Sequence, residues 1–538
     1  MKAQQQSSSI ATPTRRDALK FGSAAIASGL APGWALAATD EYISGIVFED
    51  HAGDGLRRDN ARGIPGVLIS NGVDVVRSGE GGHYRLPLRN GHQSFVVKPA
   101  GYDVRLAPGT NLPLHYLAQL QASHEQQDFA LVPNEVTKQF DAILMADPQP
   151  GNHRHLDHIR DAAVPLFAKS KVALGLTLGD IVGDELSLLR RYNSLIGQAG
   201  TPWWNAGGNH DLDYKGPDHF HARAPFREAF GPATFAFEQG QALFIVLDNV
   251  EYTGCTPDGG IGRYRGAIGP RQLTFVRNLL AHIPMDKLIV LAMHIPLRTD
   301  WNPLSTRDNT ADADALLRLL SGRRAVSFSG HMHATEHQYL QYGETDQSFH
   351  HHQVLAALSG SWWSGPYDHR GRPLALGVDG CPPGFHVLQV DGVDYSTRFV
   401  PLTSQEAKMR IVLSRCSPCS SAGNYVIDGP AEKKDMPCEI IANVFDGGPR
   451  TKVRMRLPGG EWRDLQRVRR VDPFMIDYFA EAGAIRHDWV KAEPCEHLWS
   501  AAMPLLRSGI HRVEIEVRDE YARLSQHIKI IEIADAAI

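Results

Sequence analysis

Five short groups of side chains between residues 147 and 333 could do chemistry. Each closes an apolar run: Asp147 ends "FDAILMAD", Asp180 ends "ALGLTLGD", Asn209 and His210 follow "TPWWNAGG", His294 ends "LIVLAMH", and His331 and His333 follow "AVSFSG". Carboxylate, amide and imidazole are the oxygen and nitrogen donors that divalent cations take. In open α/β sheets ligands bind outside the carboxyl ends of the strands, so five such ends are expected to converge on one site. Glycines at 179, 207, 208 and 330 stand just before or beside the donors, where a missing Cβ permits sharp turns and close backbone approach. Gln149 adds an amide two places after Asp147, before the chain breaks at Pro150-Gly151.

Such convergence requires the runs to be buried strands separated by helices. From residue 134 to 400 strand-like runs alternate with helix-like stretches ending near Lys171 and Gly200, a pattern that predicts an α/β core with strands buried on both faces. Before it, residues 39–133 read as a small β-sandwich: "YISGIVFED", "GVLISNG", "DVVRSG", "GHYRLPL" and "QSFVVKP" are short runs broken by turn residues. After it, residues 401–538 read as a second all-β domain, from "RIVLS" and "CEIIANVFD" to "GIHRVEIEVRDEY" and "QHIKIIEI".

Residues 1–38 are not part of this fold. Paired Arg15-Arg16, a short apolar stretch and the small-residue exit Ala35-Leu36-Ala37 predict a signal peptide, and the paired arginines resemble a twin-arginine export signal. The expected location is periplasmic or secreted, and no run of about 18 apolar residues predicts a membrane span. Removing the leader takes away four cations against Asp17 and moves the formal charge from −5 to −8, which offers no basic face for bulk nucleic-acid binding. Six cysteines remain, and an oxidising compartment makes disulfides or free thiols the expectation; Cys416-Ser-Pro-Cys419 is the alternative half of a zinc ribbon without a second half. Oligomeric state is not legible.

Taken together the five groups resemble the calcineurin-like metallophosphoesterases, whose pattern is D-x-H, GD, GNH[DE], a lone H and GHxH. The matching pieces are Asp147-Pro148-Gln149, Gly179-Asp180, Gly207-Gly208-Asn209-His210-Asp211, His294 and Gly330-His331-Met332-His333; Gln149 alone departs, standing where the pattern has histidine. The chain also resembles members with a sandwich before the catalytic domain and a β module after it, and its first sandwich resembles transthyretin-like and Cna-B-like modules. In some of those a D-x-N-x-D-G loop binds calcium; here Ala52 replaces one ligand and a solvated turn is expected at 50–55.

The resemblance implies an α/β fold with a β-sandwich core and flanking helices, and two divalent ions of manganese, iron or zinc. Such ions sit about 3.5–4 Å apart, clamp a phosphate and lower the pKa of a shared water. Asp180 is implied as the bridging carboxylate. Asn209, His294 and His331 complete one site, and Asp147, His333 and Gln149 the other, Gln149 either as a ligand or only as a hydrogen-bond partner of a water. His210 is implied as the catalytic residue beside the ions, oriented by Asp211 or another acid.

Trp203 and Trp204 are expected in the core. Trp362 and Trp363, in "LSGSWWSGP", are candidate substrate contacts, as are Arg263 and Arg265 in the glycine-rich stretch 254–269. His350, His351 and His352 are expected at the surface. The activity implied is hydrolysis of phosphate mono- or diesters in the cell envelope by a water-derived nucleophile; the other class in play is an envelope-polymer binding protein whose phosphoesterase domain has lost turnover.

Overall fold

The computed structural model describes residues 41–534 apart from 90, 121–125, 343–348, 404–407, 416–424, 427–430, 433–436 and 483–486. The expected leader, Cys416 and Cys419 lie outside the described residues. Residues 41–133 form two four-stranded sheets. Strand Tyr42–Glu49 pairs antiparallel with His83–Pro87 and parallel with Phe129–Pro133. Its alternation sends Ile43 and Val47 inward against Ile69, Phe95 and Leu131, all buried. The 50–55 loop is a hydrogen-bonded turn: Asp50 accepts from the backbone of Gly53 (2.9 Å) and Gly55 (2.6 Å), and Asp54 pairs with Arg58.

The central domain is built on two sheets. The first runs in the order Trp203–Ala206, Leu174–Leu178, Gln139–Met145, Gly384–Asp391, Asp394–Pro401; the second in the order Phe235–Gln239, Ala242–Val246, Leu288–Ala292, Ala325–Ser329, Phe349–Val354, Glu336–Gln341. Within each sheet the strands that lead to the donors are parallel. Strand Gln139–Met145 is buried on both faces, with Ala142 and Leu144 in a core shared with Phe244, Val290 and Phe328 of the second sheet. Ile143 and Met145 point the other way, onto Leu156, Phe167 and Tyr192 of the helical layer. Burying each such side chain is worth roughly 1.5–3 kcal/mol, so the strand ends project from a rigid base.

Three sequence expectations meet the fold here. Trp203 and Trp204 are core residues: Trp203 donates its Nε1–H to Thr177 (2.8 Å), and Trp204 stacks on Phe237 with centroids 4.0 Å apart. His350, His351 and His352 are buried rather than at the surface. They lie in strand Phe349–Val354, where alternation sends His350 and His352 to share Ser327 Oγ (both 2.7 Å) and His351 to stack on Tyr339. A polar triplet can be buried when each ring finds a partner, which the sequence of the triplet does not show. The C-terminal module has two five-stranded sheets, as expected of a β domain, with the helix Pro473–Ala482 beside them. It docks on the central domain through half-buried Asp446, which accepts from His337 and His386 (3.2 Å each) and Gln353 (3.0 Å).

Candidate metal centre

The five donor groups do converge, on the space between the carboxyl ends of the two sheets. Asp147, Asp180 and Asn209 come from the first sheet, His294, His331 and His333 from the second. Backbone bonds lace the loops together: Gln149 N–H donates to Asp180 O (3.0 Å), Gly330 N–H to His294 O (3.0 Å) and Ser359 N–H to Asp147 O (3.1 Å). The turns are tight. Of the eleven described non-glycine residues with positive φ, eight are Asp147, Gln149, Asp180, Asp184, His331, His333, Trp362 and Trp363. Such conformations cost of order 1–3 kcal/mol each and gather where a site demands them. Close approach also excludes side chains: a Cβ on Gly208 would lie 2.1 Å from Asp180 Oδ1, and one on Gly330 2.3 Å from Asp147 Oδ2.

Each imidazole has one nitrogen held from behind, leaving the other to face the centre. His294 Nδ1–H donates to Leu178 O (2.9 Å), so Nε2 faces Asn209 Oδ1 (3.0 Å) and Asp180 Oδ1 (3.3 Å). His331 Nε2 sits on Asp308 Oδ1 (3.2 Å), and its Nδ1 lies 3.1 Å from His294 Nε2. His333 Nδ1–H donates to Gly360 O (2.6 Å), leaving Nε2 3.9 Å from Asp147 Oδ1. Metal-binding histidines are held in this way, with the outer nitrogen fixing the tautomer.

Charge and burial oppose each other in the cluster. Burial works against the Asp180 carboxylate, but His294 and His210 beside it hold its pKa well below the ordinary range. Burial would lower His294, yet the Asp180 charge lifts it to about 9. Asp147 is pushed up to about 7, by burial first and then by Asp180. His333 is pushed down to about 4 by burial, and His331 is lowered for the same reason, so both rings present a free lone pair.

The residues present fit a divalent centre. The ligand atoms of Asp180, His294 and His331 lie within 4.8 Å of one another. Gln149 is buried, and its Oε1 has no hydrogen-bond partner, nor does Oγ of Ser359, whose backbone N–H donates to Asp147 O. An unpaired buried amide oxygen costs about 1–3 kcal/mol, which a cation would offset. These acceptors can hold ions, and His210, with a third of its side chain exposed, stands at the mouth.

The sequence comparisons agree with this geometry. A profile for the N terminal of calcineurin-like phosphoesterase matches residues 52–134, and one for the C terminal of calcineurin-like phosphoesterase matches residues 352–524. Both matched stretches, on either side of the motifs, are those of calcineurin-like phosphoesterases. Two solved structures are distantly similar: a dimetal phosphatase from Danio rerio (14% identity, 48% of this chain and 98% of that one, TM-score 0.32) and purple acid phosphatase from seeds of yellow lupin, Lupinus luteus (10% identity, 64% and 68%, TM-score 0.36). No curated protein matches the sequence.

Around the phosphoesterase centre the expected residues divide. His210 is oriented by Asp184 (Nδ1 to Oδ1, 2.7 Å), while Asp211 is turned into the loop, accepting from Val182 and Gly208 backbone N–H. Trp363 is buried and donates to Pro148 O (2.8 Å), bracing the first motif. Trp362 stacks on His333 with centroids 4.0 Å apart. Arg263 and Arg265 are exposed on the hairpin that pairs Val250–Tyr252 with Tyr264–Gly266, and Arg265 is paired with Glu251. Sequence reasoning missed Asp184, Asp308, Ser359 and Arg223. Arg223 is buried, bidentate to Asp248 (2.8 and 2.7 Å), and donates to Gly208 O (2.6 Å), so it fixes the GNHD loop from beneath. Only Asp184 had a local signal, lying in "GDIVGD" four residues after a ligand candidate.

Proposed function

We propose that this phosphoesterase hydrolyses phosphate mono- or diesters with two divalent ions, and does so in the cell envelope. The observation that carries the reading is the convergence of seven donors, with every imidazole anchored by its outer nitrogen. Asp180 would be shared between the ions; Asn209, His294 and His331 would hold one, and Asp147, His333 and Gln149 the other. When bound, the ions polarise the phosphoryl group and lower the pKa of a water toward neutrality. His210, lifted to about 9 because the Asp180 and Asp184 charges outweigh its burial, holds a proton and can give it to the leaving alkoxide. Asp184 keeps the ring's other nitrogen occupied, so the face toward the substrate is Nε2, 4.0 Å from Asp180 Oδ2.

Gln149 makes the pair asymmetric. With its amide oxygen, the first position holds oxygens from Asp147, Gln149 and Asp180 and one nitrogen from His333, a set that suits manganese, magnesium or ferrous ions better than zinc. Metal analysis after long dialysis is expected to show one ion retained and one lost; equal retention with zinc in the first position overturns the asymmetry. Location in the envelope is supported by Arg15-Arg16 and the apolar stretch behind them. The central test is Asp180→Asn in the metal-loaded protein. Hydrolysis of p-nitrophenyl phosphate and bis(p-nitrophenyl) phosphate is expected to fall beyond the roughly 100-fold that the loss of a supporting group costs. Unchanged hydrolysis would overturn the enzymatic reading in favour of a binding protein.

A further inference from the structure

A chain of rings leads outward from the metal centre and ends on the C-terminal module. Trp362 stacks on His333 (4.0 Å, 21°), Trp489 meets Trp362 edge to face (6.2 Å, 72°), and His487 stacks on Trp489 (4.3 Å, 11°). Trp489 is 64% exposed, against the tendency of so large an apolar side chain to be covered. Its backbone is nonetheless firmly placed. Val490 beside it is buried among Met475, Tyr478 and Phe479 of the module's helix, and Met332 and Trp362 pack on the same cluster. Glu493 N–H donates to Val378 O (3.1 Å), and Tyr478 OH accepts from Leu376 N–H (3.3 Å), tying both segments to the loop that follows the site.

We infer that Trp362 and Trp489 form a specificity corner, in which the C-terminal module selects phosphate esters whose organic group carries a flat aromatic ring. The inference rests on the proposed phosphoesterase site, to which it adds the substrate class. Isolated exposed apolar residues are ordinary on protein surfaces. Trp489 is not isolated: it continues a contact series that begins on a candidate metal ligand. The two indoles meet at 72°, the edge-to-face geometry that aromatic pairs prefer, and a third ring on the exposed side of Trp489 would extend the same series. An aliphatic chain would gain only the burial of its apolar area there, without the ring–ring contribution. Trp363, its neighbour in sequence, is committed to Pro148 and is not part of the corner.

The test compares phenylphosphonate with methylphosphonate, neither of which is hydrolysed, by calorimetry on the metal-loaded protein. Aromatic pairs contribute beyond their buried area, so the phenyl compound is expected to bind roughly tenfold more tightly than the methyl compound in the unaltered protein. Trp489→Ala is expected to bring the ratio of the two affinities close to one, and Trp489→Phe to keep most of it; the exposed position makes both variants compatible with folding. Absence of a phenyl preference in the unaltered protein, or a preference that survives both Trp489→Ala and Trp362→Ala, overturns the assignment. Turnover of p-nitrophenyl phosphate, measured separately, reports on the phosphoesterase reading alone, so one can fail while the other stands.

Discussion

His294 has no access to solvent, yet the Asp180 carboxylate 3.3 Å away lifts its pKa to about 9 where burial alone would lower it. In the metal-free protein the ring therefore carries a proton at pH 7, and a cation must displace it, because imidazole binds only through a free lone pair. Adding Mn²⁺ to metal-free protein in weak buffer at pH 7 is expected to release acid. The pulse should fade above pH 9, and metal affinity should weaken steadily below that value; a pH-independent affinity would contradict the assignment of His294. The sign for stability runs the other way. A charged His294 contributes to the metal-free fold below its ordinary value of 6.5, and that contribution is lost as pH rises through about 9. His210 invites a second measurement at this scale. His210→Ala is expected to lower kcat by about 10²–10⁴ for esters with basic leaving alcohols and by less for nitrophenyl esters, whose leaving group needs no proton. Asp184→Asn should move the same selectivity in the same direction by a smaller step, since it loosens the ring without removing it.

The loops that close each strand are where supporting contacts concentrate. Asp308, in the segment after His294, reaches His331 Nε2 across 23 residues of sequence, and Asn302 donates to its other oxygen (3.0 Å). Such outer carboxylates typically change metal affinity 10- to 100-fold. Asp308→Asn is expected to lower metal affinity within that range, measured by competition with a chelating dye, while the fold is kept; an unchanged affinity would show that His331 is held by other means. The GNHD loop has an equivalent support in the buried Arg223–Asp248 pair. Its guanidinium pins Gly208 O, and Gly208 in turn allows Asp180 to come close enough for His210 N–H to donate to its Oδ1 (2.9 Å). Each loop thus depends on a residue from a different element.

For the whole molecule, the flanking modules do different jobs. The C-terminal module packs on the loop around 374–381 and sets Trp489 against Trp362. The proposed leader would set where the protein works. Replacing Arg15 and Arg16 together by lysine is expected to leave the precursor uncleaved in the cytoplasmic fraction, scored by fractionation and immunoblot; normal export would remove the twin-arginine reading. Among the described residues no helix is long and apolar enough to cross a membrane.

That five polar groups each follow an apolar run, and so were expected at the ends of buried strands, was legible in the sequence, while their roles as donors came from the resemblance to a family. So were the short strands before the core and the packing of Trp203 and Trp204. Tertiary structure alone decided which nitrogen of each histidine faces the centre, since Leu178, Asp308 and Gly360 are brought to the rings from distant segments. It also gave the orientation of His210 to Asp184 rather than Asp211, whose carboxylate is consumed by backbone N–H groups. It buried His350, His351 and His352, and it set Trp489 against Trp362. Local pattern reports which face of a strand or helix is apolar; it carries no record of hydrogen-bond partners a hundred residues away, and those partners set the chemistry here.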